Sequence, residues 1–137
     1  MADYKGALPT PTPDTEAFWD GTKEHKLILP YCAACDAYDF YPRPFCRGCF
    51  SWDLEQREVS GRGKLHTYVI NHRGPAGFED KTPYVIAVVE LDEGPRMMTN
   101  ILMDEEPTPE NLRIDAPVEV VYTDVTEDVT LPHFRLI

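Results

Sequence analysis

The residues of this chain with the most definite chemistry are its four cysteines. They form two CxxC pairs, Cys32 with Cys35 and Cys46 with Cys49, and ten residues separate the pairs. A CxxC turn directs both of its sulfur atoms at one point, and the spacer is long enough for a hairpin that brings the two turns together. Four thiolates around one point match a closed tetrahedral zinc site, in which Zn–S distances are about 2.3 Å. Because sulfur fills all the positions and none is open for water, the zinc is predicted to be structural.

Three other interpretations start from the same cysteines. Disulfides would suit a secreted protein, but Met1 to Thr10 lack the charged-then-apolar pattern of an export signal, so we expect reduced thiols and a cytoplasmic protein. A single redox-active CxxC would leave the second pair unexplained. An iron site of the rubredoxin type uses the same sulfur ligands, and ligand softness alone does not separate iron from zinc. Zinc is the metal that we expect.

The charge of the chain limits its partners. Its 137 residues carry 13 lysines and arginines against 24 aspartates and glutamates, a formal net charge of −11, and neither half is basic. Affinity for a phosphodiester chain comes mainly from Lys and Arg, so we expect no binding to nucleic acid. No apolar run approaches the roughly 20 residues that cross a bilayer, so we expect no membrane insertion.

The order of local patterns predicts a mainly β protein in three parts. Residues 1–26 hold a proline-rich arm and an N-terminal helix, and residues 27–52 form a rubredoxin-like zinc ribbon. Residues 53–137 contain short β-branched runs between turns with glycine and proline. About five curled strands of this kind favour a small OB-fold-like barrel.

Some details of this scheme depend on single residues. Thr12 and Pro13 match the N-cap and the first position of the helix. Residues 54–59 are the strand that leads into the barrel, and the two glycines of Ser60–Gly63 predict a bulge or a sharp bend there. The next strand, Lys64–His72, alternates in polarity, which predicts a single face made of Leu65, Thr67, Val69 and Asn71.

Aromatic side chains are concentrated in the predicted helix and around the cysteines. Phe18 and Trp19 are adjacent and cannot both lie at the centre of one narrow helical stripe, so one is available to the ribbon or to a second chain. Alternatively, both attach the helix to its own domain. Arg43 and Arg47 either donate to the sulfur atoms and offset their charge or hold a ligand phosphate. The aromatic face of the ribbon consists of Tyr38, Phe40 and Phe45.

The polar residues form no recognisable catalytic set. The histidines lack metal-ligand spacing, no phosphate-cradling glycine motif is present, and Ser60 lacks the strand-to-helix setting of a nucleophile. His72 beside Arg73, near Phe78, is a polar cluster that a ligand could use, although a hydrogen-bonded loop histidine explains it equally simply. The chain alone is therefore not expected to be an enzyme.

An OB-type barrel with aromatic residues has one alternative function. Such barrels bind single-stranded nucleic acid through a cationic groove and stacking rings, and Tyr68, Phe78 and Tyr84 are candidates for stacking. The acidic composition opposes this hypothesis. A helicase or ribonuclease encoded by the neighbouring reading frame would favour the nucleic-acid hypothesis.

The order of the motifs from Pro13 to Phe134 resembles that of one family, the zinc-ribbon/OB-fold accessory proteins long catalogued as a domain of unknown function. Its genes typically lie beside those of thiolase-like and lipid-transfer-protein-like enzymes. The resemblance implies a non-catalytic subunit of a thiolase-fold enzyme that makes or cleaves carbon–carbon bonds of acyl-CoA, including retro-aldol cleavage in steroid side-chain breakdown. The motifs are Phe18-Trp19-Asp20-Gly21, the cysteine pairs around Tyr41-Pro42-Arg43, Ser60-Gly61-Arg62-Gly63, Pro83-Tyr84-Val85 and Leu131-Pro132-His133-Phe134.

The resemblance also implies a set of contacts. We expect an obligate heterotetramer with two copies of each subunit, because thiolase-fold enzymes are usually dimers. Together with the clustering of aromatic residues, it predicts a partner interface made of Phe18, Trp19, Tyr38, Phe40 and Phe45. A loop surface near the acyl-CoA entrance is predicted to contain Arg62, His72, Arg73 and Phe78.

Three residues depart from the pattern of the family. Its members often carry glycine directly after the second cysteine of each pair, where this chain has Asp36 and Phe50, and many carry glycine near Asp115. Asp tolerates a positive φ more readily than Phe, so the sequence leaves the shape of the second turn open. None of these residues is a predicted metal ligand.

Overall fold

A computed structural model describes residues 4–137, in which one helix precedes two β-sheets. The first sheet has the order β2-β1-β3, and the second is a closed barrel of order β4-β5-β6-β8-β7. The predicted fold class, mainly β with an N-terminal helix, a ribbon and a five-stranded barrel, is confirmed. The elements are α1 (Glu16–Lys23), β1 (Leu27–Cys32), β2 (Ala37–Tyr38), β3 (Glu55–Val59), β4 (Arg62–Asn71), β5 (Tyr84–Leu91), β6 (Arg96–Ile101), β7 (Pro117–Asp124) and β8 (Thr130–Leu136).

The helix begins later than the sequence predicted. Thr15, and not Thr12, is the N-cap residue. The Thr15 N–H donates to the Thr12 carbonyl at 3.0 Å, and the Thr12 N–H donates to Thr15 Oγ1 at 2.9 Å, so a turn around Pro13 precedes the helix. The Thr12 prediction is wrong because this local turn uses the groups that a cap would need. Phe18 on α1 is only 2% exposed and anchors the helix in the core.

The strand β3 pairs with the ribbon and not with the barrel. Leu27 of β1 lies opposite Val59 of β3 in an antiparallel register. The sequence analysis had joined residues 54–59 to the barrel, which this pairing contradicts; the domain boundary at residue 53 stays a prediction. After β3 the chain bends at Gly61, whose φ of +73° suits glycine, and a Cβ there would lie 2.4 Å from Val120 Cγ1. The bend predicted for this segment is therefore present.

A β-bulge changes the faces of the first barrel strand. The register between β4 and β5 shifts between Leu65 and Thr67. Leu65 is buried before the bulge, whereas after it Tyr68 is partly buried and Val69 is exposed. The predicted single face is therefore wrong, because one extra residue moves the following side chains to the opposite side of the strand. In β5 the alternation is regular, with buried Val85, Ala87, Val89 and Leu91.

One hydrophobic core joins the helix, the first sheet and the barrel. Phe18, Leu27 and Leu29 belong to the same cluster of buried side chains as the barrel residues Leu65 and Phe134. The ribbon is consequently held against the barrel by shared packing at its base. Within residues 4–137, no helix has the length and apolar character that a bilayer crossing requires.

Candidate metal centre and partner surface

The four cysteines converge at the tip of the first sheet. Cys32 ends β1, and Cys35 lies in the turn before β2. The sulfur atoms of Cys32 and Cys49 are 3.7 Å apart, those of Cys35 and Cys46 are 3.8 Å apart, and all four lie within 4.8 Å of one another. A tetrahedral site with Zn–S bonds of about 2.3 Å has sulfur atoms roughly 3.8 Å apart. The geometry therefore fits a tetrahedral metal ion bound by four sulfurs.

The pKa values of the thiols differ from one cysteine to the next. The backbone N–H groups of Cys49 and Gly48 lower the pKa of Cys46 to about 7. The neighbouring sulfurs of Cys49 and Cys46, together with burial, raise the pKa of Cys35 to about 12. The thiols by themselves therefore do not all ionise near neutral pH. A soft divalent metal ion would stabilise four adjacent thiolates. Sulfur donors favour such an ion over a hard cation.

The two cysteine turns have the same backbone shape in spite of their unusual residues. Asp36 has a φ of 51° and Phe50 a φ of 62°, so both occupy the left-handed region that favours glycine. Asp36 accepts a hydrogen bond from the Tyr31 hydroxyl at 2.5 Å. In the second turn the Phe50 N–H donates to the Cys46 carbonyl at 2.8 Å. The sequence did not decide the shape of this second turn, and in the structure Phe50 adopts the left-handed conformation.

The residues predicted to contact a partner differ in their exposure. Phe18 is buried against Trp19 and Phe40, with ring centroids 4.8 and 5.7 Å away, so its assignment to the interface is wrong. It is a core residue because its position on α1 faces the barrel. Trp19 is partly buried, and its Nε1–H donates to the Tyr41 hydroxyl at 2.8 Å. The remaining predicted contacts, Tyr38, Phe40 and Phe45, are also partly buried and stay predictions.

Two arginines beside the metal centre share one carboxylate. Arg47 binds Asp39 with two hydrogen bonds, Nε to Oδ2 at 2.9 Å and Nη2 to Oδ1 at 2.6 Å. Arg43 Nε lies 3.4 Å from Asp39 Oδ2. The sequence analysis offered the sulfur atoms or a phosphate as their partners, and Asp39 takes that place in the structure. The pairing leaves this part of the ribbon close to neutral.

Two strongly exposed aromatic residues were missed by the sequence analysis. Phe50 is 70% exposed and Trp52 is 73% exposed. Their rings lie 6.3 and 5.9 Å from the ring of Phe45, and we call these three residues the knuckle patch. For Phe50 the available signal was local, because this aromatic residue directly follows the last cysteine of the second pair.

The predicted acyl-CoA surface is not a single cluster. Arg62 begins β4, whereas His72 and Arg73 follow its last residue, Asn71. A strand of this length separates its ends by about 30 Å, at about 3.3 Å per residue. The inclusion of Arg62 is therefore wrong, because it assumed one loop where there is a long strand. Phe78 packs near Tyr84, with ring centroids 5.4 Å apart, and His72 and Arg73 are exposed.

A cavity of about 690 Å³ lies between the helix, the ribbon and the barrel. Its walls are mainly apolar and aromatic, and its volume lies in the range of small-molecule sites. Lys81 and the acidic residues 104–106 contribute charge to its lining. Burial, followed by the charge of Lys81, lowers the pKa of His133 in the wall. Six separate segments form the cavity, which is why local sequence patterns do not reveal it. Its principal wall residues are Trp19, Phe40, Tyr41, Tyr84, Met97 and Ile101.

Comparison with known proteins identifies the family of this chain. A family model described as the rubredoxin-like zinc ribbon domain of ChsH2 matches residues 19–55, and one described as the C-terminal OB-fold domain of ChsH2 matches residues 56–123. A DUF35 domain-containing scaffold protein from Methanocaldococcus jannaschii is 37% identical over 112 residues, which cover 80% of this chain and 77% of that protein. The chain belongs to the ChsH2/DUF35 family. The family resemblance seen in the sequence is thereby confirmed.

Two subunits of acyl-CoA enzymes are similar to this chain over different shares of their length. A probable enoyl-CoA hydratase alpha subunit from Thermomonospora curvata is 35% identical over 134 residues, which cover 96% of this chain but only 40% of that protein. The benzoylsuccinyl-CoA thiolase subunit BbsA from Thauera aromatica is 31% identical over 97 residues, or 71% of this chain and 63% of that subunit. The chain therefore spans about two fifths of the hydratase subunit.

A solved structure described as the Ltp2-ChsH2(DUF35) aldolase contains a chain with the same fold. The two chains superpose with a TM-score of 0.80 at 32% identity, and the match covers 93% of this chain and 98% of that one. Helix, ribbon and barrel therefore occur together in a protein of nearly the same extent.

Proposed function

We propose that this chain is a non-catalytic scaffold subunit that binds a thiolase-fold enzyme acting on carbon–carbon bonds of acyl-CoA. The similarity to a nearly full-length chain in the Ltp2-ChsH2(DUF35) aldolase carries this proposal. The similarity to a subunit of benzoylsuccinyl-CoA thiolase supports the same class of partner. A heterotetramer with two copies of each subunit is the proposed assembly, and steroid side chains are one proposed class of substrate.

A structural zinc ion is part of the proposal. Cys32, Cys35, Cys46 and Cys49 would hold it, and the sulfur–sulfur distances of 3.7 and 3.8 Å support this. When bound, the ion would fold the ribbon by cross-linking its two turns, since metal-binding free energy is folding free energy in such small modules. No reaction step is assigned to it.

The polar groups around the cavity support a role in binding and not in catalysis. Trp19 Nε1 is bound to the Tyr41 hydroxyl, and Asn100 Nδ2 donates to the Val85 carbonyl at 2.9 Å. His133 Nδ1 lies 3.1 Å from Thr123 Oγ1. These groups hold the walls together, and a nucleophile that contacts a base is not found among them. We propose that the reacting groups belong to the partner.

The exposed loop after β4 is the proposed side of approach for acyl-CoA. His72 and Arg73 are exposed there, and Phe78 lies in the loop that follows. A guanidinium such as that of Arg73 is suited to a CoA phosphate. Arg73→Ala should therefore raise the KM for acyl-CoA while the complex stays assembled.

Co-expression tests the proposed function directly. The chain should be produced with the thiolase-fold subunit of its source organism and examined by size-exclusion chromatography with light scattering. A stable complex with turnover that exceeds that of either subunit alone is expected. A thiolase-fold enzyme that is fully active without this chain would contradict the proposal, as would turnover of acyl-CoA by this chain alone.

A further inference from the structure

We infer that the knuckle patch, Phe45, Phe50 and Trp52, is the central contact of this chain with its thiolase-fold partner. The inference rests on the proposed function and deepens it by naming the surface that binds. Neither Phe50 nor Trp52 belongs to the partner surface that the sequence predicted. Four observations, on backbone strain, exposure, charge and rigidity, carry the inference.

The first observation is the backbone conformation of Phe50. Its φ of 62° lies in the left-handed region, which is costly for a bulky residue and free of that cost for glycine. Asp36 occupies the same position in the first turn, but its side chain is short and accepts a hydrogen bond from Tyr31. Phe50 offers no polar group to compensate. Stability alone would therefore favour glycine at residue 50, and strain of this kind is typical of functional positions.

The second observation is the exposure of the rings. Phe50 and Trp52 are 70% and 73% exposed, and the patch contributes no member to the hydrophobic core. Side chains of this size expose about 300 Å² together when they are exposed to this degree. A specific interface buries about 800 Å² on each partner, so the patch has the size of a binding hot spot and not of a whole interface. Neighbouring surfaces of the ribbon would supply the remainder.

The third observation is the local charge, which decides between partners. Residues 43–52 contain two arginines and no carboxylate, in a chain whose net charge is −11. Both arginines are paired with Asp39. Four thiolates with one Zn²⁺ ion would add a charge of −2, so the metal centre with these three side chains would carry a charge of about −1. The three side chains of the patch carry no charge, so the patch is an apolar surface on an acidic protein. A second copy of the chain would be repelled by its own charge, whereas a partner subunit with an apolar pocket would not.

The fourth observation is that the turn around Cys46 and Cys49 holds the backbone of the patch. The Cys46 N–H donates to the Ser51 carbonyl at 2.8 Å, and the Phe50 N–H donates to the Cys46 carbonyl at 2.8 Å. Each ring of the patch lies within three residues of a cysteine ligand. Aromatic anchors held in place before binding lose little conformational entropy on association. The backbone that carries the patch is therefore held by the second cysteine turn.

A pair of glycine substitutions tests the inference. Phe50→Gly removes the ring and suits the left-handed backbone, so it should keep or raise the melting temperature and weaken binding to the thiolase-fold subunit roughly tenfold or more. Asp36→Gly makes the same backbone change in the first turn and should bind within about twofold of the wild type. Trp52→Ala should weaken binding by a factor similar to that of Phe50→Gly. Isothermal titration calorimetry gives the affinities, and differential scanning calorimetry gives the melting temperatures.

The outcomes separate this inference from the proposed function. If the wild-type chain binds and both patch variants bind equally well, the inference is overturned while the proposed function stands. If the wild-type chain does not bind, the proposed function itself fails. A lower melting temperature with unchanged affinity for Phe50→Gly would assign that ring a structural role and overturn the inference. A wild-type chain that dimerises through Trp52 would also overturn it, since the occupant would then be a second copy.

Discussion

The ribbon and the barrel are stabilised in different ways. Between Leu29 and Val59 the ribbon contributes no fully buried residue to the hydrophobic core, whereas the barrel contributes most of its members. The ribbon instead gathers four sulfur atoms within 4.8 Å of one another. A fold held by a metal ion does not need its aromatic side chains for a core. This difference explains why the two most exposed aromatic rings, Phe50 and Trp52, both lie beside the metal centre.

The largest effect is expected from the loss of one metal ligand. Cys46→Ser should release the zinc and unfold the ribbon, because the binding free energy of structural zinc sites is about 10–16 kcal/mol near pH 7. The barrel should keep its strands, since most residues of the shared core belong to the barrel itself. Elemental analysis should give about one zinc ion per wild-type chain and none in the variant, and amide hydrogen exchange should locate the unfolding. A zinc-free variant with full protection in the ribbon would refute the division between the two regions.

Truncation of a core residue in the barrel should lower stability without loss of zinc. Phe134 is fully buried, and Phe134→Ala should lower the free energy of unfolding by about 3–5 kcal/mol. Zinc content should stay unchanged in the folded protein, because the residue is remote from the ribbon tip. Urea denaturation and metal analysis on the same sample measure both quantities. Loss of zinc without loss of barrel stability would show that the two regions are not separately stabilised.

The junction between the regions should respond more weakly. Trp19 connects α1 to the ribbon through its hydrogen bond to Tyr41, and it lines the cavity. Trp19→Ala should weaken assembly with the partner and cost about 1–3 kcal/mol of stability through lost packing and the lost hydrogen bond. Trp19→Phe, which keeps most of the packing, is the matched control for the hydrogen bond. Assembly that is unaffected by both variants would confine Trp19 to a structural role.

The smallest effect expected is a pH dependence that belongs to the barrel. Burial lowers the pKa of His133, so between its folded and unfolded pKa values the unfolded chain binds more protons. Stability should therefore be complete above the usual histidine pKa of about 6.5 and fall as the pH drops below it. Urea denaturation at pH 7.5 and 5.5 measures the change, and His133→Gln should reduce it. Zinc released at the lower pH should be counted in parallel, so that the ribbon contribution is separated.

The sequence by itself determined the metal centre and the class of fold. Cysteine spacing is a local property, because a CxxC turn places its two sulfur atoms together whatever surrounds it. The runs of β-branched residues between turns likewise predicted the five barrel strands, and β5 has the expected alternation. The order of the motifs was sufficient to indicate the family.

Only the tertiary structure decided which elements pair and which side chains stay outside. The pairing of Leu27 with Val59 joins β3 to the ribbon, and the bulge after Leu65 reverses the faces of β4; both depend on registers between distant segments. Phe18 and Phe50 are the same residue type, yet one is 2% exposed and the other 70%. Hydrophobicity favours burial of both, but only the packing of helix, ribbon and barrel determines which ring finds a core within its own chain.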